Sequence, residues 1–478
     1  MARYITTTLP YVNADPHIGF AHEIIQADVL ARAWRLSGEE VFFNTGTDEH
    51  GQKLAQSAEK AGQTPQEYAD RYAAEFEKLK SALAITNDAF IRTTDPRHME
   101  AAQEMWKRCD AAGDIYKKSY SGLYCVGCEA FKTEHELTED KHCELHPNLV
   151  PQEVTEENYF FRLSKYQGAL EEYLSRIEVV IPEWRREEAL NFVRSGLEDF
   201  SISREASKLS WGIPVPGDES QVMYVWFDAL TSYISTLGWP SNQAAFETFW
   251  EKGHTLQLAG KDQVRFQSIM WQAMLMSAKI KNTDQVFYQG FINSGGQKMS
   301  KSLGNVINPY ELVEKYGTEA TRYLLLRHVH PVEDSDITWE RLDEWYTANL
   351  VNGLGNLVAR VMKLAETHLD APVPITKDDV RIEEGFMDHF YAFQFQAGMD
   401  LLFEHVTRGD EFMTSREPYK KIKDPETETE ARAEIMQLVK HVAKVAAHLE
   451  SVMPETSAAI LIAVSENKKP ENLFPRLG

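Results

Sequence analysis

The chain lacks the long apolar run that a membrane-spanning helix needs. No stretch of its 478 residues approaches the ~18 consecutive apolar residues of such a helix, and its N-terminus shows no basic-then-apolar signal pattern. Cysteine is also scarce, since the chain has only four, and three of them are clustered at a spacing that suits metal ligation better than a disulfide framework. We therefore expect a cytoplasmic protein that has no membrane partner.

Basic side chains are far fewer than acidic ones. There are 50 Lys and Arg residues against 73 Asp and Glu residues, which gives a net charge of -23. This balance argues against a protein that coats nucleic acid, so any contact with RNA has to use local basic patches. A cluster at Arg416, Lys420, Lys421 and Lys423 is one candidate, and a solvated turn of mixed charge is its equally acceptable alternative.

The chain also lacks a P-loop and a complete dinucleotide fingerprint. Gly260-Lys261-Asp262 has neither the spacing nor the hydroxyl of a P-loop, which disfavours a P-loop ATPase. Gly353-Leu354-Gly355 lacks the third glycine of a dinucleotide site and lies inside a helical pattern, so we expect close helix packing there.

The order of hydrophobic patterns predicts an α/β fold. Residues 1–115 alternate strand-like runs at 4–8 and 40–45 with helical patterns such as 64–84. The same alternation of strand and helix resumes with strand-like runs at 223–227, 254–258 and 285–292. We expect a doubly wound, Rossmann-like parallel sheet built from 1–115 and 221–340, with a connective insertion at 116–220. Helical patterns at 342–368, 386–407 and 428–451 predict an all-α bundle over 341–478.

The first chemical motif, His17-Ile18-Gly19-Phe20, follows the apolar run at 4–11 and opens a helical pattern through Ala33. A triphosphate needs donors and a close backbone approach. Gly19 removes a Cβ, His17 can donate an imidazole N–H, and the helix N-terminus adds partial positive charge. Taken alone, this four-residue motif is more often an ordinary helix start.

The second motif, Lys298-Met299-Ser300-Lys301-Ser302, lies between glycine-containing segments at 294–297 and 303–305. Those glycines would let two ammonium groups close over a leaving pyrophosphate, and a solvated loop is the alternative. In this order and context, the two motifs resemble the signatures of the class I aminoacyl-tRNA synthetases.

The insertion carries a pattern typical of a zinc site. Two residues separate Cys125 from Cys128, and two separate Cys143 from His146. Three thiolates and an imidazole complete a tetrahedral shell, which leaves no open position, so we expect one structural zinc ion per chain. His142 and His135 are alternative ligands, three reduced cysteines without metal are the plain alternative, and Cys109 is predicted to be a core thiol.

Further motifs narrow the resemblance to one branch. These are Leu9-Pro10-Tyr11, Thr47-Asp48-Glu49-His50-Gly51 and Tyr224-Val225-Trp226-Phe227-Asp228-Ala229, together with the zinc pattern. Over residues 4 to about 420 the chain resembles the methionyl branch in its shorter, single-knuckle bacterial form. The distance between the two signatures leaves no room for the large editing domain of the isoleucyl, leucyl and valyl branches. The cysteinyl branch is the nearest alternative, but its zinc lies in the amino-acid pocket.

The resemblance implies roles for individual residues. It implies catalysis by His17, Lys298 and Lys301. The implied ATP-binding residues, with Mg²⁺ accompanying ATP, are His17, Gly19, Phe20, Gly260, Asp262, Lys298, Ser300 and Lys301. The implied methionine-binding residues are Leu9, Tyr11, Asp48, Trp226, Ala229, Tyr233, Phe266, Gln267 and Trp271. An uncharged thioether has to be selected by an apolar, aromatic cavity, which these side chains can form; Trp226 and Trp271 taken singly would more often be core residues.

The implied anticodon-binding residues are Asn352, Asn356, Arg360 and Tyr419. The first three recur at helical spacing on one face, and Tyr419 stands after Pro418 where the family usually has tryptophan.

The chain also departs from the family at Phe20 and Gln267, where histidine is usual, and at Gln263, where an apolar residue is usual. An amide still offers a hydrogen bond, so selection of methionine can survive with different contacts.

The implied activity is that of a methionine-tRNA ligase. It would form methionyl-adenylate and pyrophosphate from methionine and ATP, and then charge tRNA(Met), including the initiator, with release of AMP. A monomer is expected. The alternatives are an accessory protein of the same fold that has lost tRNA charging, and a nucleotidyltransferase of the superfamily, which would not need Asn352, Asn356 and Arg360 on one face.

Overall fold

The computed structural model describes residues 1–126, 130–132, 137–138, 140–143, 148–299 and 305–477. The strands are β1 Ala2–Thr7, β2 Glu40–Thr47, β3 Ala89–Arg92, β4 Ile115–Cys125, β5 Ala130–Lys132, β6 Gln152–Phe161, β7 Val180–Ile181, β8 Phe200–Ser201, β9 Ser203–Glu205, β10 Pro214–Val215, β11 Asp218–Met223, β12 His254–Gly260, β13 Gln285–Gln289, β14 Ile292–Ser294, β15 Gln297–Lys298 and β16 Ser335–Asp336.

The α-helices are α1 Ile18–Leu36, α2 Gln52–Lys60, α3 Pro65–Ala82, α4 Pro96–Ala111, α5 Gln167–Ser175, α6 Glu183–Arg194, α7 Val225–Leu230, α8 Ser232–Ser235, α9 Gln243–Ala245, α10 Trp271–Ser277, α11 Pro309–Tyr316, α12 Thr318–His328, α13 Trp339–Trp345, α14 Asn356–His368, α15 Phe386–Tyr391, α16 Phe395–Arg416, α17 Pro418–Lys421, α18 Glu428–Leu449 and α19 Pro454–Glu466. Short 3₁₀ turns are Leu163–Tyr166 and Lys261–Gln263, and π-helical stretches are Phe246–Glu251, Phe266–Met270 and Tyr346–Gly355. No helix of the described part is long and apolar enough to cross a membrane.

A six-stranded parallel sheet organises the first part of the chain. Its order is β3-β2-β1-β12-β13-β7, and Ile5 of β1 pairs with Phe43 on one side and with Leu256 on the other. The chain thus winds outward from β1 in both directions, which is the doubly wound arrangement. This confirms the predicted α/β class, and the carboxyl ends of β1, β2 and β12 form the edge where such sheets bind ligands.

The residues of β1 explain its central position. Tyr4, Ile5, Thr6 and Thr7 are all fully buried, as a parallel strand covered on both faces requires. The Tyr4 hydroxyl donates a hydrogen bond to the carbonyl of Tyr233 at 2.7 Å, so its one polar atom is satisfied inside the core.

Three predicted elements differ from the structure. The run at 223–227 was predicted as one strand, but β11 ends at Met223 and α7 begins at Val225, where the Tyr224 carbonyl accepts the first helical hydrogen bond, from the Asp228 N–H at 3.1 Å. The helical pattern at 386–407 is split into α15 and α16, since Phe393 lies between them at a φ of 60°.

The strand pattern at 285–292 is likewise broken into β13 and β14. A Cβ on Gly290 would lie 2.2 Å from the Glu333 carbonyl oxygen, so this break requires glycine.

Residues 116–220 contain more than one kind of structure. Here β4 and β6 pair antiparallel over their length in a four-stranded sheet of order β5-β4-β6-β8. The short strand β7, from the same range, pairs with β13 as an edge of the main parallel sheet.

The chain divides into two compact units. Unit 1 comprises residues 1–16, 39–78 and 86–289, and unit 2 comprises 17–38, 79–85 and 290–478. These divisions follow contacts rather than the four predicted domains, whose boundaries stay a prediction. Unit 2 is helical over most of 309–466, as the predicted helical C-terminal region requires.

A buried ion pair lies at the centre of unit 2. The guanidinium of Arg322 lies 2.8 Å from Asp28, and both side chains are fully buried. Arg322 also donates to the carbonyl of Leu83 at 3.0 Å and to that of Val452 at 2.7 Å. Helices α1, α12 and the turn before α19 are therefore fixed together by one satisfied cation.

Candidate functional site

The aspartate of the Trp226 motif joins two histidines in unit 1. Asp228 Oδ2 lies 2.7 Å from His50 Nδ1, and Asp228 Oδ1 lies 2.6 Å from His98 Nε2. The other ring nitrogen of His98 lies 3.0 Å from the Ser235 hydroxyl. Burial opposes the charge of this carboxylate, but His50 and His98 hold the pKa of Asp228 below its usual value, so it is ionised and accepts from both rings.

Glu49, the acidic neighbour of Asp48, is occupied by structural bonds. Its carboxylate accepts two hydrogen bonds from Arg92, at 2.7 and 2.9 Å, and one from Thr47 at 2.7 Å. A Cβ on Gly46 would meet the Ile91 carbonyl oxygen at 1.9 Å, so β2 and β3 can approach only at glycine. The 46–50 segment, which also carries Asp48, is thereby fixed at the carboxyl end of β2.

Asp48 lies beside Tyr11, as a shared binding site requires. The two residues form an isolated parallel bridge, in which the Asp48 N–H donates to the Pro10 carbonyl at 3.0 Å and the Val12 N–H donates to the Asp48 carbonyl at 3.2 Å. The Tyr11 hydroxyl accepts from the Leu54 N–H at 3.0 Å. Both predicted residues therefore lie at the carboxyl edge of the sheet.

The predicted aromatic residues of the methionine pocket form two groups in unit 1. Trp226 and Phe266 stack with ring centroids 3.7 Å apart, and Tyr233 contacts Trp271 edge-on at 5.8 Å. Ala229 lies on α7 with Trp226, and both Ala229 and Leu9 are 8% exposed. Trp271 is fully buried and also contacts Trp250.

Gln267 is connected to Tyr233. Its Nε2 donates to the Tyr233 hydroxyl at 2.7 Å, while its Oε1 is buried and has no hydrogen-bond partner among the residues that the structure describes. Gln267 stands where the family usually has histidine. Its Nε2 uses one donor on Tyr233, and its Oε1 remains a buried acceptor.

Some of the residues predicted to bind the nucleotide follow the first motif. In unit 2, His17 is the N-cap of α1, and its Nδ1 accepts from the Gly19 N–H at 3.1 Å. The neutral ring therefore carries its proton on Nε2, where it can donate outward. Phe20 is buried at 6% exposure, so its ring belongs to the interior of the unit.

In unit 1, Gly260 ends β12 and Asp262 follows in a 3₁₀ turn. A Cβ at position 260 would lie 2.7 Å from Asp262 Oδ1, and Gln263 donates to Asp262 Oδ2 at 3.0 Å. Of the second motif, Lys298 lies in β15 with its backbone paired to Asn293, whereas Ser300 and Lys301 lie outside the described residues.

The predicted zinc ligands are described in part. Cys125 ends β4 and is fully buried. Cys143 is 1% exposed, and its backbone forms an isolated antiparallel β-bridge with Leu137. Cys128 and His146 lie outside the described residues, as does the alternative His135. The other alternative, His142, is exposed. Cys109 is buried, as predicted, and burial raises the pKa of its thiol to about 12.

The predicted anticodon residues lie on the helices of unit 2. Asn352 is in the π-helical stretch, Asn356 begins α14, and Arg360 is one turn further on. Both asparagines are exposed, and Arg360 is 41% exposed with a loose ion pair of 3.5 Å to Asp410. Tyr419 is half-buried on α17 and donates to Glu417 at 3.3 Å.

The basic cluster beside Tyr419 is largely neutralised. Lys420 pairs with Glu417, and Lys421 lies 2.7 Å from Glu430 and 2.8 Å from Glu434. The solvated, mixed-charge turn is thus the better description of these two lysines in the structure.

Sequence reasoning missed two residues of the site. His98 and Arg92 lie outside every motif, and a single histidine or arginine carries no recognisable pattern. The sequence signal that could have pointed to such partners is the position of Asp228 inside the apolar run 225–230, because a carboxylate that becomes buried needs cationic or N–H partners.

Comparison with known proteins agrees with the motifs. The family model described as tRNA synthetases class I (M) matches residues 3–362. The methionine-tRNA ligase of Thermosynechococcus vestitus is 42% identical over 474 residues, which cover 95% of this chain and 88% of that protein. That of Mesorhizobium japonicum is 39% identical over 509 residues, covering 99% and 97%.

Solved structures show the same likeness. Mycobacterium tuberculosis methionyl-tRNA synthetase in complex with methionyl-adenylate superposes with a TM-score of 0.89 at 34% identity, covering 99% of this chain and 98% of that one. The apo form of the same enzyme gives a TM-score of 0.83 at 31% identity, with 100% and 98% coverage. The chain therefore belongs to the methionyl-tRNA synthetase family, the methionine-tRNA ligases of class I.

Proposed function

We propose that the residues predicted from the motifs carry out the two steps of methionine-tRNA ligation. A carboxylate oxygen of methionine attacks the α-phosphorus of ATP, the bond to the bridging oxygen of the β-phosphate breaks, and pyrophosphate leaves. The hydroxyl of the 3'-terminal ribose of tRNA(Met) then attacks the carbonyl carbon, its proton is released, and AMP leaves. The observation that carries the proposal is the pairing of Tyr11 with Asp48 at the carboxyl edge of the sheet.

Asp48 would bind the methionine ammonium together with the Leu9 carbonyl. Its side chain is 5% exposed, so an ion pair there is shielded from water and stronger than at the surface. Glu49 cannot take this role, because Arg92 already holds its carboxylate at 2.7 Å. A buried carboxylate next to an aromatic group is the arrangement that a zwitterionic, apolar amino acid needs.

The side chain of methionine would lie against the aromatic groups. Tyr11, Trp226, Tyr233, Phe266 and Trp271 supply apolar faces, and a thioether packs favourably against aromatic rings. Ala229 leaves space beside Trp226 because both are on α7. The buried hydrogen bond from Gln267 fixes the position of the Tyr233 ring in the pocket wall.

Stabilisation of phosphate charge is the role proposed for His17, Lys298, Ser300 and Lys301. The tautomer fixed by the Gly19 N–H gives His17 an Nε2–H donor, and the N-terminus of the 19-residue α1 adds its partial charge. Gly19 and the backbone of Phe20, whose ring is buried, would approach the nucleotide. Gly260 with Asp262 would bind its ribose. Mg²⁺ would accompany ATP and neutralise part of the triphosphate charge.

A structural zinc ion held by Cys125, Cys128, Cys143 and His146 fits the described part of the insertion. Cys125 and Cys143 are buried at 0% and 1% exposure, which suits thiolate ligands of a closed site. When bound, zinc would supply folding free energy to the insertion.

Recognition of the CAU anticodon is proposed for Asn352, Asn356, Arg360 and Tyr419. Exposed amides and a half-exposed guanidinium can reach the edges of unstacked bases, and a tyrosine ring offers a stacking plane. Initiator tRNA would be charged alike, since it shares this anticodon. A monomer and a cytoplasmic location remain our expectations.

Methionine-dependent exchange of pyrophosphate into ATP tests the proposal directly. Each of the twenty amino acids is supplied in turn, and only methionine should support rapid exchange. Exchange stimulated by a different amino acid would overturn the assignment of the pocket.

A further inference from the structure

Unit 2, the helical unit, contains a group of side chains with metal-ligand atoms that the proposed ligase reaction does not use. A cavity of about 290 Å³ opens between α16 and α18, and its lining includes Glu383, His405, His441 and Lys444. Among the described residues, Glu383, His405 and His448 offer one ligand atom each within 4.8 Å of one another. They come from three places in the chain, the loop before α15, helix α16 and helix α18.

The separation of two of these atoms suits a common metal ion. Nε2 of His405 lies 3.3 Å from Oε2 of Glu383, but the two make no hydrogen bond, and Nε2 has no hydrogen-bond partner among the residues that the structure describes. Ligands placed tetrahedrally at the ~2.0–2.2 Å of zinc–nitrogen and zinc–oxygen bonds lie about 3.4 Å apart. The pair is therefore spaced as one edge of a coordination shell.

The third group is oriented in the way that metal-bound histidines are. Nδ1 of His448 lies 2.8 Å from the Lys444 carbonyl oxygen, which makes this nitrogen the donor and leaves the lone pair on Nε2. Among the described residues, that Nε2 accepts one long hydrogen bond of 3.3 Å, from the Glu383 N–H, which a bound metal ion would replace. A backbone carbonyl that fixes the tautomer of a histidine is the usual outer partner of a metal ligand.

The protonation states also fit. Burial lowers the pKa of His405 to about 4, and burial likewise lowers the pKa of His448. The hydrogen bond from Lys444 holds the pKa of Glu383 below its usual value. At neutral pH the group therefore offers two neutral imidazoles and one carboxylate, as metal ligation requires.

The ligand atoms that the neighbouring cations leave available determine which metals the group suits. Lys444 donates to Oε1 of Glu383 at 2.6 Å, so only Oε2 faces His405. Arg408, also at the cavity, pairs with Glu404 at 3.2 Å. With one carboxylate oxygen and two imidazole nitrogens, the group suits zinc, cobalt or nickel rather than calcium or magnesium, which prefer several oxygen ligands.

We propose that Glu383, His405 and His448 form a site for a divalent transition metal of the zinc class, with the cavity providing room for water as the remaining ligand. The ion would connect the loop before α15 to α16 and α18. It would therefore stabilise the helical unit without taking part in methionine activation, and the site does not depend on the proposed function.

Cobalt(II) titration of the full-length, chelator-stripped protein tests the proposal. Cobalt bound to thiolates, as at Cys125 and Cys143, gives near-ultraviolet charge-transfer bands, whereas cobalt at this site would give only weak visible bands. In addition to any cobalt bound at the cysteines, the wild type should bind one equivalent whose spectrum has no thiolate band. Glu383→Gln and His405→Ala should weaken that equivalent by at least ~10²-fold, since loss of an outer partner alone costs 10–100-fold.

His441→Ala is the matched control. His441 lines the same cavity, but its Nε2 lies 2.7 Å from the carbonyl oxygen of His405 and is engaged there. This variant should keep the cobalt equivalent. Equal cobalt stoichiometry and affinity in all four proteins, or no equivalent without thiolate bands in the wild type, would overturn the proposal.

Thermal unfolding supplies a second readout. Cobalt should raise the Tm of the wild type more than that of Glu383→Gln, whose side chain is 38% exposed and whose metal-free fold should be intact by circular dichroism. If His405→Ala does not fold, Glu383→Gln alone decides. An equal rise of Tm in the wild type and this variant would contradict the site.

Discussion

Asp228 Oδ2 lies 2.7 Å from Nδ1 of His50, and this bond joins two motifs that are far apart in the sequence. His50 ends the segment that carries Asp48, and Asp228 is on the helix that carries Trp226 and Ala229. One buried carboxylate therefore sets the position of the proposed ammonium ligand relative to the aromatic residues.

Asp228→Asn should weaken this connection. The amide has one oxygen where the carboxylate had two, so one of the two histidine donors is left unsatisfied in the core, at a cost of about 1–3 kcal/mol of unfolding free energy. Urea unfolding followed by tryptophan fluorescence measures this loss. Glu188→Gln, which removes only an exposed ion pair with Arg185, should change the unfolding free energy far less.

Tyr233→Phe should raise the KM for methionine. The change removes the acceptor of the Gln267 Nε2 and leaves a buried donor without a partner, which costs about 1–3 kcal/mol and disturbs the pocket wall. We expect a rise in KM of roughly tenfold in pyrophosphate exchange, equivalent to about 1.4 kcal/mol. Tyr173→Phe removes a buried hydrogen bond to the Thr283 carbonyl instead, and an equal rise there would show that the effect is not specific to the pocket.

Arg360→Ala and Tyr419→Ala should separate tRNA charging from methionine activation. Each variant should lower kcat/KM for charging of a CAU tRNA by an amount equivalent to roughly 1–3 kcal/mol, while pyrophosphate exchange stays at the wild-type rate. Lys363→Ala is the control, because Lys363 is on the same helix and is paired with Glu366 at 3.1 Å. Charging at the wild-type level by both variants would show that these residues do not read the anticodon.

His328 should make the stability of unit 2 depend on pH. Burial, with Arg327 nearby, lowers the pKa of His328 to about 3, and its ring stacks on Trp345 at 4.2 Å. The unfolded chain protonates this residue below its ordinary pKa of about 6.5, whereas the folded chain does not until near pH 3. The unfolded state therefore binds more protons between these values, and stability falls as the pH is lowered through that window, by up to about 1.4 kcal/mol per pH unit.

His328→Phe keeps the aromatic stack and removes the titrating group. Its free energy of unfolding should fall less steeply than that of the wild type from pH 6.5 to 4, and the two slopes should coincide above pH 7. Identical slopes in the acidic window, measured by urea unfolding, would show that this histidine is not held neutral.

The parallel sheet could be predicted because its strands are rich in β-branched and aromatic residues. The runs at 4–8, 40–45 and 254–258 became β1, β2 and β12. Buried polar residues such as Thr6 and Gln257 interrupt the apolar pattern, but the local preference for strand remains. The prediction of a strand over 223–227 was wrong because it relied on the same local preference. Val225, Trp226 and Phe227 favour strands by composition, but the Tyr224 carbonyl accepts from the Asp228 N–H and a helix begins. Val225 and Phe227 are buried there, so tertiary packing overrides local preference.

The proximity of two predicted site residues was accessible to sequence reasoning because a motif surrounds each of them. Tyr11 and Asp48 were predicted to share a site, and the structure pairs them. His98 and the Glu49–Arg92 pair were not, because partners distant in sequence are revealed only by folding. The Glu383, His405 and His448 group is of the same kind, since nothing in its spacing predicts that a loop and two helices converge.

The methionine KM of Asp48→Asn tests the central claim, that the carboxylate at the end of β2 binds the substrate ammonium. Loss of one partner of a buried, hydrogen-bonded charge pair costs about 2–5 kcal/mol, so the KM for methionine in pyrophosphate exchange should rise by at least roughly thirtyfold. The KM for ATP should stay near its wild-type value, which serves as the internal control for folding. A variant with the wild-type KM for methionine would contradict the account.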